Sequence, residues 1–479
     1  MSEMDFSKKE RAALEEIGLE MKANKYVKGE MQFTDLTNTL YFLRAYQDII
    51  RYCKTLDKFL VWNGTNWELD VRGFVEERIP IFIHQMYRIQ RYIPDQLLKQ
   101  DFEKHLIKSE SFRRIQAIIG LLKMQPAIKV IEKDLDTDNY LFNVDKLTLN
   151  LKTGKAKEPN IKHLITKKSN FIYDKDADCP TWKLFLMQIF EKDESLIRYI
   201  QKACGYALSG DVSEQCLFIL WGTGANGKST FLNVLLYLFG DYACTTMIDT
   251  FMKKTNDKSN DIARLKGLRF VTTSEIEQGK QINESLMKSV TGEDSLTARF
   301  LYGEYFSFKP TFKIFMATNH KPKIRGADNG IWRRIKMIPF TVTIPPEQRD
   351  KKLTEKLIAE NSGILNWLIA GYAMWKKEGL GEEPEVVRAA NEEYRMDMDA
   401  VGTFINDCLE LDASLQWRLH TKILYETYMK WCNKNNEHIM SQKWLSLRMG
   451  EKGFKRLVSN SQRWWLGLTV KPEWRGFVK

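Results

Sequence analysis

The sequence predicts an α/β protein: a P-loop core, mostly helical N-terminal domains before it, and a C-terminal helix–helix–hairpin domain of winged-helix pattern. Three observations carry this prediction. Gly222-Thr223-Gly224-Ala225-Asn226-Gly227-Lys228-Ser229-Thr230 fits the phosphate-loop pattern Gly-x-x-x-x-Gly-Lys-[Ser/Thr]. Cys216–Trp221 before it reads as a buried strand, and Phe231–Phe239 after it reads as an apolar helix that Gly240 stops. Downstream, Thr421–Leu468 carries two helix patterns and then two strand patterns across a polar turn.

Composition bounds the class. At 479 residues, 43% hydrophobic and 28% charged, the chain has material for roughly three domains with real cores. It has no unbroken apolar run of about 18 residues, so no membrane span is expected. The start, Met1-Ser2-Glu3-Met4-Asp5, lacks the basic-then-apolar order of a secretion signal. Seven cysteines without a Cys-x-x-Cys pair argue against a zinc ribbon and for a reducing compartment, so a cytoplasmic location is expected. The net charge of +11 suggests a polyanionic partner. Most of that excess lies in residues 411–479, where 13 Lys/Arg face 5 Asp/Glu among six tryptophans. Basic residues interleaved with aromatics suit a nucleic-acid surface.

Residues 1–110 read as an accessory domain, mainly helical, with one hairpin at Phe59–Leu69 turning on Asn63-Gly64 in a tight type I′ turn. Residues 111–209 hold a second hairpin pattern at Tyr140–Gly154 and return to helical periodicity from 181. The core is expected over 210–345, a helical lid and linker over 346–397, and the C-terminal domain over 398–479.

A glycine loop between a strand and a helix start presents bare N–H groups to an anion. Lys228 would reach the β- and γ-phosphates of a nucleoside triphosphate, and Ser229 would hold Mg²⁺. A second core strand, Leu268–Thr273, leads into Ser274-Glu275-Ile276-Glu277. One carboxylate there can hold the metal through water and the other can orient the attacking water; Glu275 is assigned to the metal and Glu277 to the water, with exchange of the two open. A third strand, Phe312–Thr318, ends in Asn319, whose amide could sense the γ-phosphate. In Gly330-Ile331-Trp332-Arg333-Arg334, one arginine could cross a subunit boundary to the transferring phosphoryl group, Arg334 being the first choice and Arg333 the second.

The run at 222–231 resembles the phosphate loop of superfamily-three helicases, in particular the phage/plasmid primase-helicase group that includes the poxvirus primase-helicase. Gly205–Gly210, Ser274–Glu277, Leu296–Phe312, Ala317-Thr318-Asn319-His320 and Ile331–Arg334 resemble its further motifs in order, and the likeness runs from about 110 to the C-terminus. The resemblance implies an AAA+-type core, ATP hydrolysis, a ring that is usually hexameric, and 3′-to-5′ translocation on single-stranded DNA. It also implies that the Leu296–Phe312 hairpin points into the pore, with Arg299, Lys309 and Lys313 on phosphates and Tyr302 near the tip. The roughly 110 residues ahead of the shared region are too few for the family's primase domain, so primer synthesis is not expected.

In the C-terminal domain, helix-turn-helix geometry would put Gln442–Met449 in the major groove, with Lys443 and Arg448 facing DNA. Lys455, Arg456 and Arg463 would touch phosphates from the wing. These readings converge on a replicative DNA helicase of a phage, plasmid or mobile island, in a bacterial host cytoplasm, with a partner primase or polymerase and a further role at origin DNA. Two alternatives stay open: an origin-binding protein in which ATP is only a switch, and an RNA-directed helicase.

Overall fold

The computed structural model describes residues 3–22, 32–253, 259–273, 275–276, 279–301, 303–324, 329–435, 437–459 and 462–475. Its centre is a five-stranded sheet in the order Ile335–Pro339, Leu217–Trp221, Lys313–Thr318, Phe270–Thr273, Ala243–Thr246. All four pairings are parallel, so every strand starts at one edge of the layer and ends at the other. Side chains alternate between the two faces of a strand. Phe218 and Leu220 therefore join the apolar core on one face and Leu217 and Ile219 the core on the other.

The helix Lys228–Phe239 packs on the first face, and Gly240, at φ +54°, ends it. The helices Glu194–Tyr206 and Asn361–Glu378 share that core. Their backbones meet closely: a Cβ on Gly205 would stand 2.2 Å from the Tyr372 nitrogen, and one on Gly371 would stand 2.1 Å from the Gln201 carbonyl oxygen. Residues 361–378, expected in a separate lid, are thus built into the body that includes the helices ahead of the sheet. Local periodicity could not show this, because the pairing joins helices some 170 residues apart in sequence.

The N-terminal region is helical around a four-stranded sheet, Trp67–Leu69, Lys58–Trp62, Ile50–Cys53 and Lys129–Val130. One apolar core runs from Ala13 to Val130, across the boundary expected near 110, because the helix Phe112–Met124 buries Ile118, Ile119 and Leu122 in it. The hairpin at 58–69 is present but not its two-residue turn. Trp62 pairs with Trp67, leaving four loop residues. Asn63 shapes them, its Oδ1 accepting from the Thr65 and Asn66 N–H groups at 2.8 and 2.9 Å. Between this region and the central sheet, Leu141–Val144, Leu147–Asn150 and Lys155–Lys157 form a three-stranded antiparallel sheet.

The C-terminal unit packs the helices Ala400–Cys408, Thr421–Lys434 and Gln442–Glu451 around fully buried Trp465. Beside them, Arg418–His420, Gln462–Leu466 and Arg456–Ser459 form a three-stranded antiparallel sheet. The helix Glu385–Asp397 leads into this unit and lies along the edge strand 335–339, where Asn391 Oδ1 accepts the Met337 N–H at 2.9 Å.

Candidate nucleotide site

The loop Gly222–Gly227 leaves the end of the strand Leu217–Trp221 and opens the helix at Lys228. It is held from outside. The Gly222 N–H donates to the Thr318 carbonyl at 3.2 Å, and the Ala225 carbonyl accepts from the Ile344 N–H at 2.8 Å. Asn226 is buried, and its Nδ2 donates to the Phe340 carbonyl at 3.2 Å. Gly222 must be glycine, because a Cβ there would lie 2.3 Å from the Phe340 oxygen and 2.4 Å from the Asn226 amide nitrogen. Gly224, Ala225 and Gly227 all have positive φ, at 111°, 52° and 86°. Among the described residues, no backbone bond uses the N–H groups of residues 224–227. The helix start has no side-chain cap either. Orphan N–H groups at a helix N-terminus, with left-handed residues turning the chain before them, form an anion cradle. These residues fit a polyphosphate.

Lys228 is buried at the floor of the loop. Its ammonium donates to the Gly222 carbonyl and, at 3.1 Å, to Asn319 Oδ1. Burial lowers its pKa, and the carboxylate of Glu275 acts against that. Lys228, Asn319 and Glu275 therefore gather at the strand-end edge of the sheet. Ser229 is exposed in the first turn of the helix. Thr223 lies in the loop and Thr230 in the first turn of the helix; among the described residues no hydrogen bond holds either side chain. Glu277 and Tyr302 lie outside the described residues. No group of three or more His, Cys, Asp or Glu forms a protein-only metal cage among the described residues. A magnesium site here would rest on Ser229, Glu275 and the phosphates themselves.

The two arginines separate. Arg333 is exposed, with Nη2 3.4 Å from Gln215 Oε1. Arg334, the first choice for a cross-subunit role, is buried, donating to the Gly330 carbonyl at 2.7 Å and Gln215 Oε1 at 3.0 Å. The Arg334 guanidinium is thus engaged within its own chain, and Arg333 is the exposed member of the pair. Gln215, at φ +48°, positions both, and nothing in its sequence context marks it.

Lys313 is a second correction. Rather than facing nucleic acid, it is 2% exposed, its ammonium donating to the Ser209 and Thr311 carbonyls and lying 4.4 Å over the Tyr206 ring. The strand-start edge also holds Arg269, buried and bonded to the Asn139 and Leu208 carbonyls. Sequence order placed Lys313 beside the hairpin; the hairpin proper is Leu296–Ala298 paired with Phe306–Phe308. Arg299 and Lys309 flank it and are exposed, with Arg299 4.7 Å over the Tyr305 ring.

In the C-terminal unit Lys443, Lys455, Arg456 and Arg463 are exposed, and Arg456 lies 4.4 Å over the Trp465 ring. Arg448 is different: it pairs with Glu451 at 2.7 Å. Sequence reading also missed Lys321, two residues past Asn319. Its ammonium pairs with Glu393 at 2.6 Å and Asp397 at 2.8 Å and lies 4.9 Å over Trp221, tying the loop-bearing strand to the helix 385–397.

Comparison with known proteins adds three family matches: D5 N terminal like over residues 39–191, a family of unknown function over 220–334, and Poxvirus D5 protein-like over 396–469. A protein of Acanthamoeba polyphaga mimivirus named "putative helicase" is 32% identical over 63% of this chain and 34% of its own length. A "putative helicase" of Sputnik virophage is 24% identical over 86% of this chain and 56% of its own. A "putative primase" of African swine fever virus is 25% identical over 63% and 34%. The chain thus spans about a third to a half of the length of these relatives. Among solved structures, the apo C-terminal region of NrS-1 aligns with TM-score 0.49 at 10% identity, over 91% of this chain and 99% of that one. The chain thus carries D5-type domains at both ends of the matched range and is similar to viral proteins named putative helicase and putative primase, which is consistent with the superfamily-three primase-helicase resemblance of its motifs.

Proposed function

We propose that this chain is an ATP-driven replicative DNA helicase with an AAA+-type core and a C-terminal winged helix. One observation carries the reading: the phosphate-loop lysine and the Asn319 amide meet at 3.1 Å across the ends of adjacent parallel strands, beside a loop in which, among the described residues, no backbone acceptor takes the N–H groups of 224–227. Such an edge can hold a triphosphate and sense whether its last phosphate is attached. Lys228 and the loop N–H groups would bind the phosphates, Ser229 and Glu275 the Mg²⁺ ion, and Glu277 would orient the attacking water. Magnesium, when bound, supplies charge neutralisation between the β- and γ-phosphates. Arg333, exposed at the far strand edge, would complete a neighbour's site in a hexameric ring. Arg299 and Lys309 would meet single-stranded DNA in the pore, with 3′-to-5′ movement following from the family. A primase or polymerase and origin DNA would be its partners, in the host cytoplasm.

The test is ATP turnover with and without single-stranded DNA, with a mass measurement of the assembled particle. The expected result is a ring whose turnover rises with DNA. A ring whose turnover ignores single strands while it binds duplex would favour an ATP-switched origin binder instead.

A further inference from the structure

The polynucleotide reading above leaves open which form of DNA the C-terminal unit takes. Ser441 caps the helix Gln442–Glu451, which turns Leu445 and Met449 into the core. On the other side, positions 444, 447, 448 and 451 share a face. That face carries Trp444 at 56% exposure, Leu447 at 49%, and Arg448 closed on Glu451. Major-groove readout relies on open Arg, Lys, Asn or Gln forks against base edges, with apolar side chains limited to the thymine methyl. An indole, a leucine and an internally paired arginine are a poor set for that task.

They suit unpaired bases better, since every base offers a π-face to an exposed aromatic ring. Exposed cations for the backbone lie near the start of the same helix. Lys443 is adjacent in sequence and exposed. Arg463 is brought in by the fold: Gln442 Nε2 lies 3.5 Å from the Thr421 carbonyl, and the Thr421 hydroxyl donates to the Arg463 carbonyl at 2.8 Å. The surrounding residues 411–479 carry 13 Lys/Arg against 5 Asp/Glu, a charge that complements a polyphosphate strand. We infer that the C-terminal unit binds single-stranded DNA, as at a fork, with Trp444 stacked on an unpaired base and Lys443 and Arg463 on its flanking phosphates.

The experiment uses the full chain without ATP. It is photocrosslinked to a bromouracil-substituted single strand and the crosslinked peptide is mapped. Anisotropy titrations at several salt concentrations compare a single strand, a fork with unpaired arms and a blunt duplex. The crosslink is expected at the peptide holding Trp444. Trp444→Ala should weaken the single strand and the fork about tenfold and leave the blunt duplex alone, while Trp444→Phe retains most of the affinity. Lys443→Ala or Arg463→Ala should flatten the salt dependence by roughly 0.7 per lost phosphate contact, which Trp444→Ala should not do. An equal loss on the blunt duplex would place the helix in a groove and overturn the inference. Affinities indifferent to all three substitutions would mark a protein-docking face and overturn it too. ATP turnover of the unaltered chain, run in parallel, separates the two claims: a chain that turns over no ATP loses the motor reading, while the crosslink still reports on Trp444.

Discussion

The two edges of the central sheet both bury cations, to opposite ends. At the strand-start edge, Arg269, Lys313 and Arg334 point into protein and meet carbonyl oxygens: Asn139 and Leu208, Ser209 and Thr311, Gly330. At the strand-end edge, Lys228 is as buried and donates to the Gly222 carbonyl and Asn319 Oδ1, but it sits below a loop in which, among the described residues, the N–H groups of 224–227 find no backbone acceptor. A buried ammonium ringed by carbonyls is already satisfied and stitches segments together. One beneath a row of N–H donors adds positive potential to positive potential and is suited to an anion. Burial alone therefore does not mark a ligand-binding cation; the sign of the surrounding dipoles does.

The comparison breaks most directly at Lys228. Lys228→Ala should reduce ATP hydrolysis to background, read as phosphate release, while leaving the thermal midpoint within a few degrees. Loss of folding instead would mean that this lysine stitches like the others. The second test is the adjacent arginine pair. Arg333→Ala should bind ATP yet lose about a thousandfold or more in turnover, the scale of an arginine finger, and mixing it with Lys228→Ala subunits should restore part of the rate. Arg334→Ala should act through stability, lowering it by about 1–3 kcal/mol in urea melts because the Gly330 carbonyl and Gln215 lose its bonds, Gln215 keeping only the longer one from Arg333. Turnover in the mixed sample that never rises would remove the cross-subunit role from Arg333.

Lys313 offers a pH test at the strand-start edge. Burial, then the nearby Arg269, hold its pKa well below the usual 10.5. Between that lowered value and 10.5 the unfolded chain binds the proton and the folded chain does not, so stability should rise with pH across this window. Below the lowered value both forms hold the proton and the folded one bears the full burial cost. Lys313→Met removes the titration, so its stability relative to the parent should fall as pH climbs toward 10.5, measured by denaturant midpoints. Single-strand affinity should be the same in both proteins, whereas Arg299→Ala with Lys309→Ala should weaken it. A Lys313→Met chain that folds as before but loses DNA binding would return this residue to the pore.

How much of this was legible in the sequence follows from range. The phosphate loop, its strand and its helix were readable because their signals are local, from the glycine spacing to Gly240 ending the helix at Phe239, although Thr318, Phe340 and Ile344, which hold the loop, are distant in sequence. The strand ending at Asn319 and the C-terminal helix pair were readable for the same reason. The roles of Arg334 and Lys313 were not, since they turn on Gln215 and Ser209, each more than a hundred residues away in sequence. Strand periodicity shows that a side chain points off the sheet, but not whether carbonyls wait for it there. The turn at Asn63-Gly64 failed differently: Asn63 spends its side chain on two N–H groups, which favours a longer loop than the dipeptide suggests.

Asn226 gives the finest test, because it shows how the loop keeps its donors for a ligand. Its Nδ2 donates to the Phe340 carbonyl, so a side chain rather than a loop N–H holds the loop to the neighbouring segment. Asn226→Ala removes that strut and opens a small void beside Gly222, but touches neither Lys228 nor Asn319. The loss should be about 1 kcal/mol, the net worth of one hydrogen bond, and should appear in ATP binding. KM for ATP should rise about fivefold with kcat nearly unchanged, because the bound phosphate restores the loop by its own contacts. Asn226→Asp is the sharper partner: it sets a carboxylate against the Phe340 oxygen and inside the cradle, where negative charge opposes both the strut and the phosphate. If the Ala variant lowered kcat and left KM alone, Asn226 would belong with the groups that act on the transition state, and the division between holding the loop and doing the chemistry would have to be redrawn.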